Sequence, residues 1–197
     1  MLNSIHHQLR SLYRLEHSWD LNDFVVPLSQ FPEPPLDRQE QVLVRESEGY
    51  CEMALVLDDA LLDPDSPWNL DRFCLCAEGI SHLPYLALTA ERNAQVSQLE
   101  LELQAEIDKF ILLLFRGMQP RVLLDRLFRN FALHEDVQKA GEQQRYTEAN
   151  RRALQYCSYL LNRFVREKRT TALLDEVRRV YRMAGVRKLA YVSECRL

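Results

Sequence analysis

The segment CAEGISHLPYL (residues 76–86) places a glutamate, a glycine, a histidine and a proline in a stretch that is otherwise apolar. Glu78 and His82 are four positions apart, so on an α-helix the two side chains lie one turn apart on the same face. A carboxylate and an imidazole at this spacing can transfer protons, bind a small ligand or ligate a metal ion. The alternative is structural: the two groups pair in the core, Gly79 allows close helix contact and Pro84 bends the helix.

Glu106 extends this candidate site to a second helix. It borders the apolar stripe of the following helical segment, where an antiparallel partner would bring it toward Glu78 or His82. Helical bundles bind metal ions through inward-pointing Glu and His side chains, but their usual spacing is Glu-x-x-His, whereas this chain has Glu-x-x-x-His. The structural, metal-site and pocket interpretations of these three residues therefore all stay open at this point.

The stretch RNFALH (residues 129–134) carries a second set of reactive side chains. Arg129 can bind a phosphate through two N–H groups, and His134 can move the proton of an attacking 2′-hydroxyl. Over these six residues the chain resembles the Arg-Asn-x-x-x-His motif of HEPN-type ribonucleases. The resemblance implies an all-helical domain that dimerises and brings both copies of the motif to one RNA phosphate. An ordinary helix end, with His134 near the C-terminal dipole, is the structural interpretation.

Charge is divided unevenly along the chain. Residues 1–115 contain 7 Lys and Arg against 20 Asp and Glu, whereas residues 116–197 contain 18 against 9. Such asymmetry indicates either two halves that neutralise each other or a charged surface for a partner, including nucleic acid at the basic C-terminal half. The basic residues alternate with apolar ones instead of forming a block, which favours internal neutralisation.

The elements that would position these residues are mostly helical. The predicted segments are an N-terminal helix (residues 1–20), a Pro-rich connector (21–40), a β-hairpin (41–58), a helical bundle (68–185) and a tail (186–197). Helical periodicity supports the helices, and two β-rich runs around ESEG support the hairpin. DFVV in the connector can form an edge strand. Gly185 is the expected stop of the last clear helix, and the tail is compatible with strand or helix.

These patterns predict a mainly α protein of the α+β class, with one globular domain over residues 1–197. The bundle should surround a central antiparallel helix pair and carry the hairpin on one edge. The longest apolar run, FILLLF, is too short to cross a bilayer, and the N-terminus lacks a signal-peptide pattern. The five cysteines show no CxxC spacing. We therefore expect a cytoplasmic protein with no membrane partner.

The function predicted from these observations is a non-catalytic binding or adaptor protein with a protein partner and no cofactor. Phosphate-binding glycine loops and a GxSxG elbow are absent from the sequence. One alternative is a HEPN-like ribonuclease that uses Arg129 and His134. The other alternative is a small-ligand or metal-binding bundle that uses Glu78, His82 and Glu106.

Overall fold

The computed structural model describes residues 1–17, 19–31, 39–47, 50–130 and 140–195. Its helices are α1 (Leu2–Tyr13), α2 (Asp59–Leu62), α3 (Leu70–Glu91), α4 (Gln98–Phe115), α5 (Pro120–Leu124), α6 (Ala140–Leu160), α7 (Thr170–Tyr181) and α8 (Gly185–Glu194). Its strands are β1 (Val25–Pro27), β2 (Glu40–Ser47) and β3 (Tyr50–Leu57). Single π-helical turns, Asp125–Arg129 and Leu161–Val165, extend α5 and α6. The predicted fold class, mainly α with a small β part, is confirmed.

The two long helices α3 and α4 pack against each other as an antiparallel pair. Lys109 Nζ donates to Glu78 Oε2 over 2.6 Å, and the Tyr85 hydroxyl donates to Glu100 Oε1 over 2.5 Å. Residue numbers thus rise along one helix as they fall along the other. Ser97 caps α4 by accepting a hydrogen bond from the Glu100 backbone N–H, and a serine three residues before a glutamate is a pattern typical of a helix start.

Helix α4 is the innermost helix. Apart from α3 it contacts α1, α5, α6 and α8, so it is covered on several sides. All but one of residues 100–113 are buried. The buried polar residues of this helix are Glu100, Glu102, Gln104, Glu106, Asp108 and Lys109. Because water does not reach them freely, these side chains depend on partners inside the protein.

The hairpin predicted over residues 41–58 is present and forms part of a three-stranded sheet with the order β1-β3-β2. Strands β2 and β3 are antiparallel, and β1, from the predicted DFVV edge strand, runs parallel to β3. Leu55 and Leu57 of β3 are fully buried, whereas Cys51 near the hairpin tip is exposed. The sheet therefore packs on the helices through one end of the hairpin.

Gly79 is the point where α3 meets this sheet. A Cβ atom at position 79 would lie 2.6 Å from Glu40 Oε1 and would overlap the Leu55 side chain. Since Leu55 is fully buried, it has no free space into which it can move. The close helix contact expected at Gly79 is therefore a contact of α3 with the hairpin.

Gly79→Ala is therefore expected to lower the free energy of unfolding by about 1–3 kcal/mol, the usual cost of overpacking a core. Urea unfolding monitored by circular dichroism measures the change. Gly141→Ala is the matched control, because a Cβ at Gly141 in α6 meets no atom of the described residues within 4 Å. That substitution should be neutral or stabilise by up to about 1 kcal/mol through helix propensity. Similar effects of the two substitutions would contradict the close contact.

The C-terminal region differs from the prediction. Helix α7 ends at Tyr181, and Gly185, with φ of 57°, begins α8. The prediction that Gly185 stops the preceding helix is wrong, because a glycine with positive φ serves equally well at the turn that starts the next helix. The tail is helical to Glu194, and Lys188 is buried in the core. None of the described helices has the length and apolar character needed to span a membrane.

Candidate functional site

Two groups of buried polar side chains lie on opposite faces of α4. On one face, Glu100, Gln104 and Asp108 follow one another at four-residue spacing, and on the other Glu102, Glu106 and Lys109 lie together. The first group with its partners, here called the Asp108 network, comprises Tyr13, Ser81, Tyr85, Glu100, Gln104, Asp108 and Lys188. The second, here called the His82 cluster, comprises Glu78, His82, Glu102, Glu106, Lys109 and Arg145.

Asp108 is the main acceptor of the Asp108 network. Its carboxylate accepts hydrogen bonds from Ser81 Oγ at 2.5 Å, from Gln104 Nε2 at 2.7 Å and from the Tyr13 hydroxyl. Burial raises the pKa of Asp108 to about 6, although these three donors act in the opposite direction. The carboxylate is therefore held in the core by hydrogen bonds that favour its charged form.

Lys188 is the cationic member of this network. Its ammonium group donates to the Tyr85 hydroxyl over 2.9 Å and to Gln104 Oε1, and lies 4.0 Å from the centre of the Tyr85 ring. Burial lowers the pKa of Lys188 to about 7, against the charges of Glu100 and Asp108, which raise it. All seven residues of the network are at most 1% exposed. Since a ligand has no access, we assign this network to the stability of the fold.

Lys109 joins two carboxylates of the His82 cluster. Its ammonium group lies 2.6 Å from Glu78 Oε2 and 2.8 Å from Glu106 Oε1. Burial alone would lower the pKa of Lys109, but the charges of Glu106 and Glu78 raise it well above its usual value. The lysine therefore stays protonated and neutralises part of the negative charge of the cluster.

His82 and Glu102 form the other part of the cluster. His82 Nε2 lies 3.9 Å from Glu102 Oε2, and Glu102 Oε1 lies 3.8 Å from Arg145 Nε. Burial lowers the pKa of His82 to about 4, so near pH 7 its imidazole is neutral and forms no ion pair with Glu102. His82 Nδ1 is buried and has no hydrogen-bond partner within the described residues. Burial, together with the charge of Glu78, raises the pKa of Glu102 well above its usual value.

Glu78, His82 and Glu102 together have the composition of a metal site. One potential ligand atom from each residue lies within 4.8 Å of the other two. Elsewhere in residues 1–17, 19–31, 39–47, 50–130 and 140–195, no other three His, Cys, Asp or Glu side chains converge in this way. The ligand atoms of a tetrahedral zinc ion are about 3.4 Å apart, so binding would require the three atoms to approach one another by up to about 1.4 Å.

The structure changes the partners that the sequence indicated. Glu78 and His82 lie on one helix facing α4, as expected, but the cation beside Glu78 is Lys109, which also binds Glu106. Glu102, one helical turn before Glu106, is the residue that converges with Glu78 and His82. Its four-residue spacing from Glu106 was the signal that could have identified it. The bend at Pro84 stays a prediction.

The second sequence motif has less structural support. Arg129 is exposed, and its guanidinium donates to Asp125 Oδ1 over 2.7 Å, one turn earlier along the chain. His134 lies outside the described residues. The ribonuclease hypothesis therefore stays a prediction.

The basic residues of the C-terminal half find partners mainly in that half. Arg151 and Arg152 both donate to Glu148, and Arg179 donates to Glu176. Two basic residues of this half, Arg145 and Lys188, approach acidic groups of the first half within the His82 cluster and the Asp108 network. Within the described residues, these contacts between the charges of the two halves lie at the two faces of α4, and neutralisation of one half by the other stays a prediction.

An open cleft of about 450 Å³ lies away from both groups, near the start of α1. It is lined in part by Trp68, Arg72 and Arg116. The Arg72 guanidinium donates to the backbone carbonyls of Ser66 and Leu61 within the same wall. Because this arginine holds the surrounding chain in place and the cleft lies apart from the converging Glu and His side chains, we do not assign the function to it.

The His82 cluster is the candidate functional site, because its side chains are buried enough to be reactive and still reach solvent. The Glu78 side chain is 14% exposed and that of Arg145 is 19% exposed, in contrast to the closed Asp108 network. No protein-family model, curated protein or solved structure matches this chain.

Proposed function

We propose that the protein binds a divalent transition-metal ion through Glu78, His82 and Glu102. The observation that carries the proposal is the convergence of one neutral imidazole and two carboxylates within 4.8 Å. Zinc and other first-row metals bind this combination of nitrogen and oxygen ligands. A neutral histidine is needed because the protonated ring has no lone pair to donate, and the low pKa of His82 meets that condition.

The charges of the cluster also favour an added cation. Burial raises the pKa of Glu102 and of Glu106, because the ionised carboxylates repel one another and lose hydration. A metal ion between two of these groups would stabilise their ionised forms. Lys109 need not leave, since a carboxylate has two oxygens, and Glu78 can keep its bond to the lysine through one while it ligates through the other.

The ligand set also favours some metals over others. Magnesium and calcium prefer sites made of oxygen ligands, whereas an imidazole selects for zinc, iron, nickel or copper. Three protein ligands resemble metal sites that keep one coordination position for water or another molecule, in contrast to structural zinc sites with four protein ligands. The adaptor role expected from the sequence is compatible with a bound metal and stays a prediction.

Calorimetric titration of the EDTA-treated protein with zinc tests the proposal. We expect one zinc ion per chain. Losing a residue that only orients a ligand weakens metal binding about 10–100-fold, so loss of the ligand itself in His82→Ala should weaken zinc binding at least about 100-fold. His7→Ala is the control, because His7 is exposed and remote in sequence from the cluster. Zinc should also raise the melting temperature of the wild type but not of His82→Ala.

Two results would contradict the proposal. One is a folded wild-type protein that binds none of zinc, manganese, iron, cobalt, nickel and copper in the titration. The other is zinc binding that is equally strong in the wild type, His82→Ala and Glu102→Gln, which would place the metal elsewhere on the chain.

A further inference from the structure

Arg145 is the member of the His82 cluster that has an unused hydrogen-bond donor. Its Nε atom is 3.8 Å from Glu102 Oε1, which is too long for a hydrogen bond. This Nε is buried and has no hydrogen-bond partner within the described part of the chain. The guanidinium carbon lies 5.5 Å from the centre of the Tyr146 ring. A buried arginine donor without an acceptor is uncommon in a folded protein and calls for a physical explanation.

The charge balance of the cluster is positive when a metal is bound. With Glu78, Glu102 and Glu106 ionised and Lys109 and Arg145 protonated, the cluster carries one net negative charge. A divalent metal ion changes this to one net positive charge. The site then attracts an anion, and removal of the metal takes away two of the positive charges that attract it.

A bound metal also releases Arg145 from its only described ionic partner. Once Glu102 donates its electron pairs to the metal, it attracts the guanidinium less strongly. Arginine binds carboxylates and phosphates in preference to other groups, because its planar N–H donors match two oxygens of the anion. At the same time, three protein ligands leave a coordination position of the metal for such an oxygen.

We infer that the metal-loaded His82 cluster binds a small oxyanion, a carboxylate or phosphate group, which ligates the metal and accepts a hydrogen bond from Arg145. The inference rests on the proposed function, because the metal supplies both the positive charge and the open coordination position. Glu78 and Arg145 are the members whose partial exposure lets such a group approach.

Calorimetric titrations with acetate and with inorganic phosphate test the inference. The zinc-loaded protein, freed of excess zinc, should bind at least one of these two probes, and the metal-free protein should bind neither. Acetate and phosphate are tested separately, so the stronger binder identifies the carboxylate or the phosphate as the preferred group. Arg145→Gln should weaken binding of that probe at least about 10-fold while changing zinc affinity less than about 3-fold.

Arg151→Gln is the matched control, because Arg151 lies on the same helix but is exposed and bonded to Glu148. It should leave binding of both probes unchanged. Arg145→Lys is the second variant, since lysine keeps the charge but lacks the planar donors, and it too should weaken probe binding. Zinc binding without binding of either probe overturns this inference alone, as does equal probe binding by the wild type and Arg145→Gln. Failure to bind any metal overturns the proposed function and this inference with it.

Discussion

Lys109→Ala is expected to lower the free energy of unfolding by about 3–5 kcal/mol, the cost of breaking a buried ion pair by removing one partner. Lys109 is buried and donates to both Glu78 and Glu106. Without it the two carboxylates face each other with no cation between them. Urea unfolding at pH 7 measures the loss. The loss should shrink as the pH falls, because protonation of Glu106, whose pKa burial already raises, then relieves the repulsion.

Arg45→Ala provides the control for this prediction. Arg45 pairs with Glu52 across the hairpin, but the two side chains are 77% and 61% exposed. Exposed ion pairs contribute about 0–1 kcal/mol, so this substitution should change stability little. If Lys109→Ala were equally mild at pH 7, the carboxylates around it would already be protonated or hydrated, and the charge balance assigned to the His82 cluster would be wrong.

The local signals of the sequence were sufficient to predict most elements. The Ser97 side chain accepts a hydrogen bond from the backbone N–H of Glu100, three residues away. The hairpin is formed by two β-rich stretches that are neighbours in the sequence. The apolar stripes of α3 and α4 predicted an antiparallel pair, which the contacts between them show. Such features depend on short stretches of chain, so a single sequence contains the information that determines them.

The polar face of α4 could not be predicted in this way. On a helical wheel, Asp108 lies opposite the apolar stripe of α4, a position typical of a solvent-exposed face. The structure buries Asp108, because α1 and α8 cover that face and supply Tyr13 and Lys188. Amphipathic patterns identify the apolar side of a helix but do not show whether its polar side is covered by other polar groups.

The axial position of α3 relative to α4 also could not be predicted from the sequence. Glu102 and Glu106 lie one turn apart, and only the relative axial position of the two helices determines which of them faces His82. That position depends on packing contacts such as the hydrogen bond of Ser81 to Asp108, which join residues 27 positions apart. The sequence therefore identified two of the three converging residues and the helix that carries the third.

Lys188→Met is expected to remove a pH dependence of stability that the wild type has between about pH 7 and 10. Burial lowers the pKa of Lys188 to about 7 in the folded protein, compared with 10.5 for the ordinary side chain. Between these values the unfolded chain binds one more proton than the folded protein. The free energy of unfolding of the wild type should therefore rise with pH across this range, by up to about 1.4 kcal/mol per pH unit for one proton. Below the folded pKa both states hold the proton, and the contribution of Lys188 no longer changes with pH.

Urea unfolding of the wild type and Lys188→Met at several pH values measures this difference, and Lys168→Met, at an exposed position, is the control. Methionine is of similar length and has no proton to lose, so the gap between the two stability curves should change across this window. Curves that stay parallel would show that Lys188 keeps its proton. The charges of Glu100 and Asp108, which oppose the effect of burial, would then outweigh it, and Lys188 would stay charged in the core as the partner of these carboxylates.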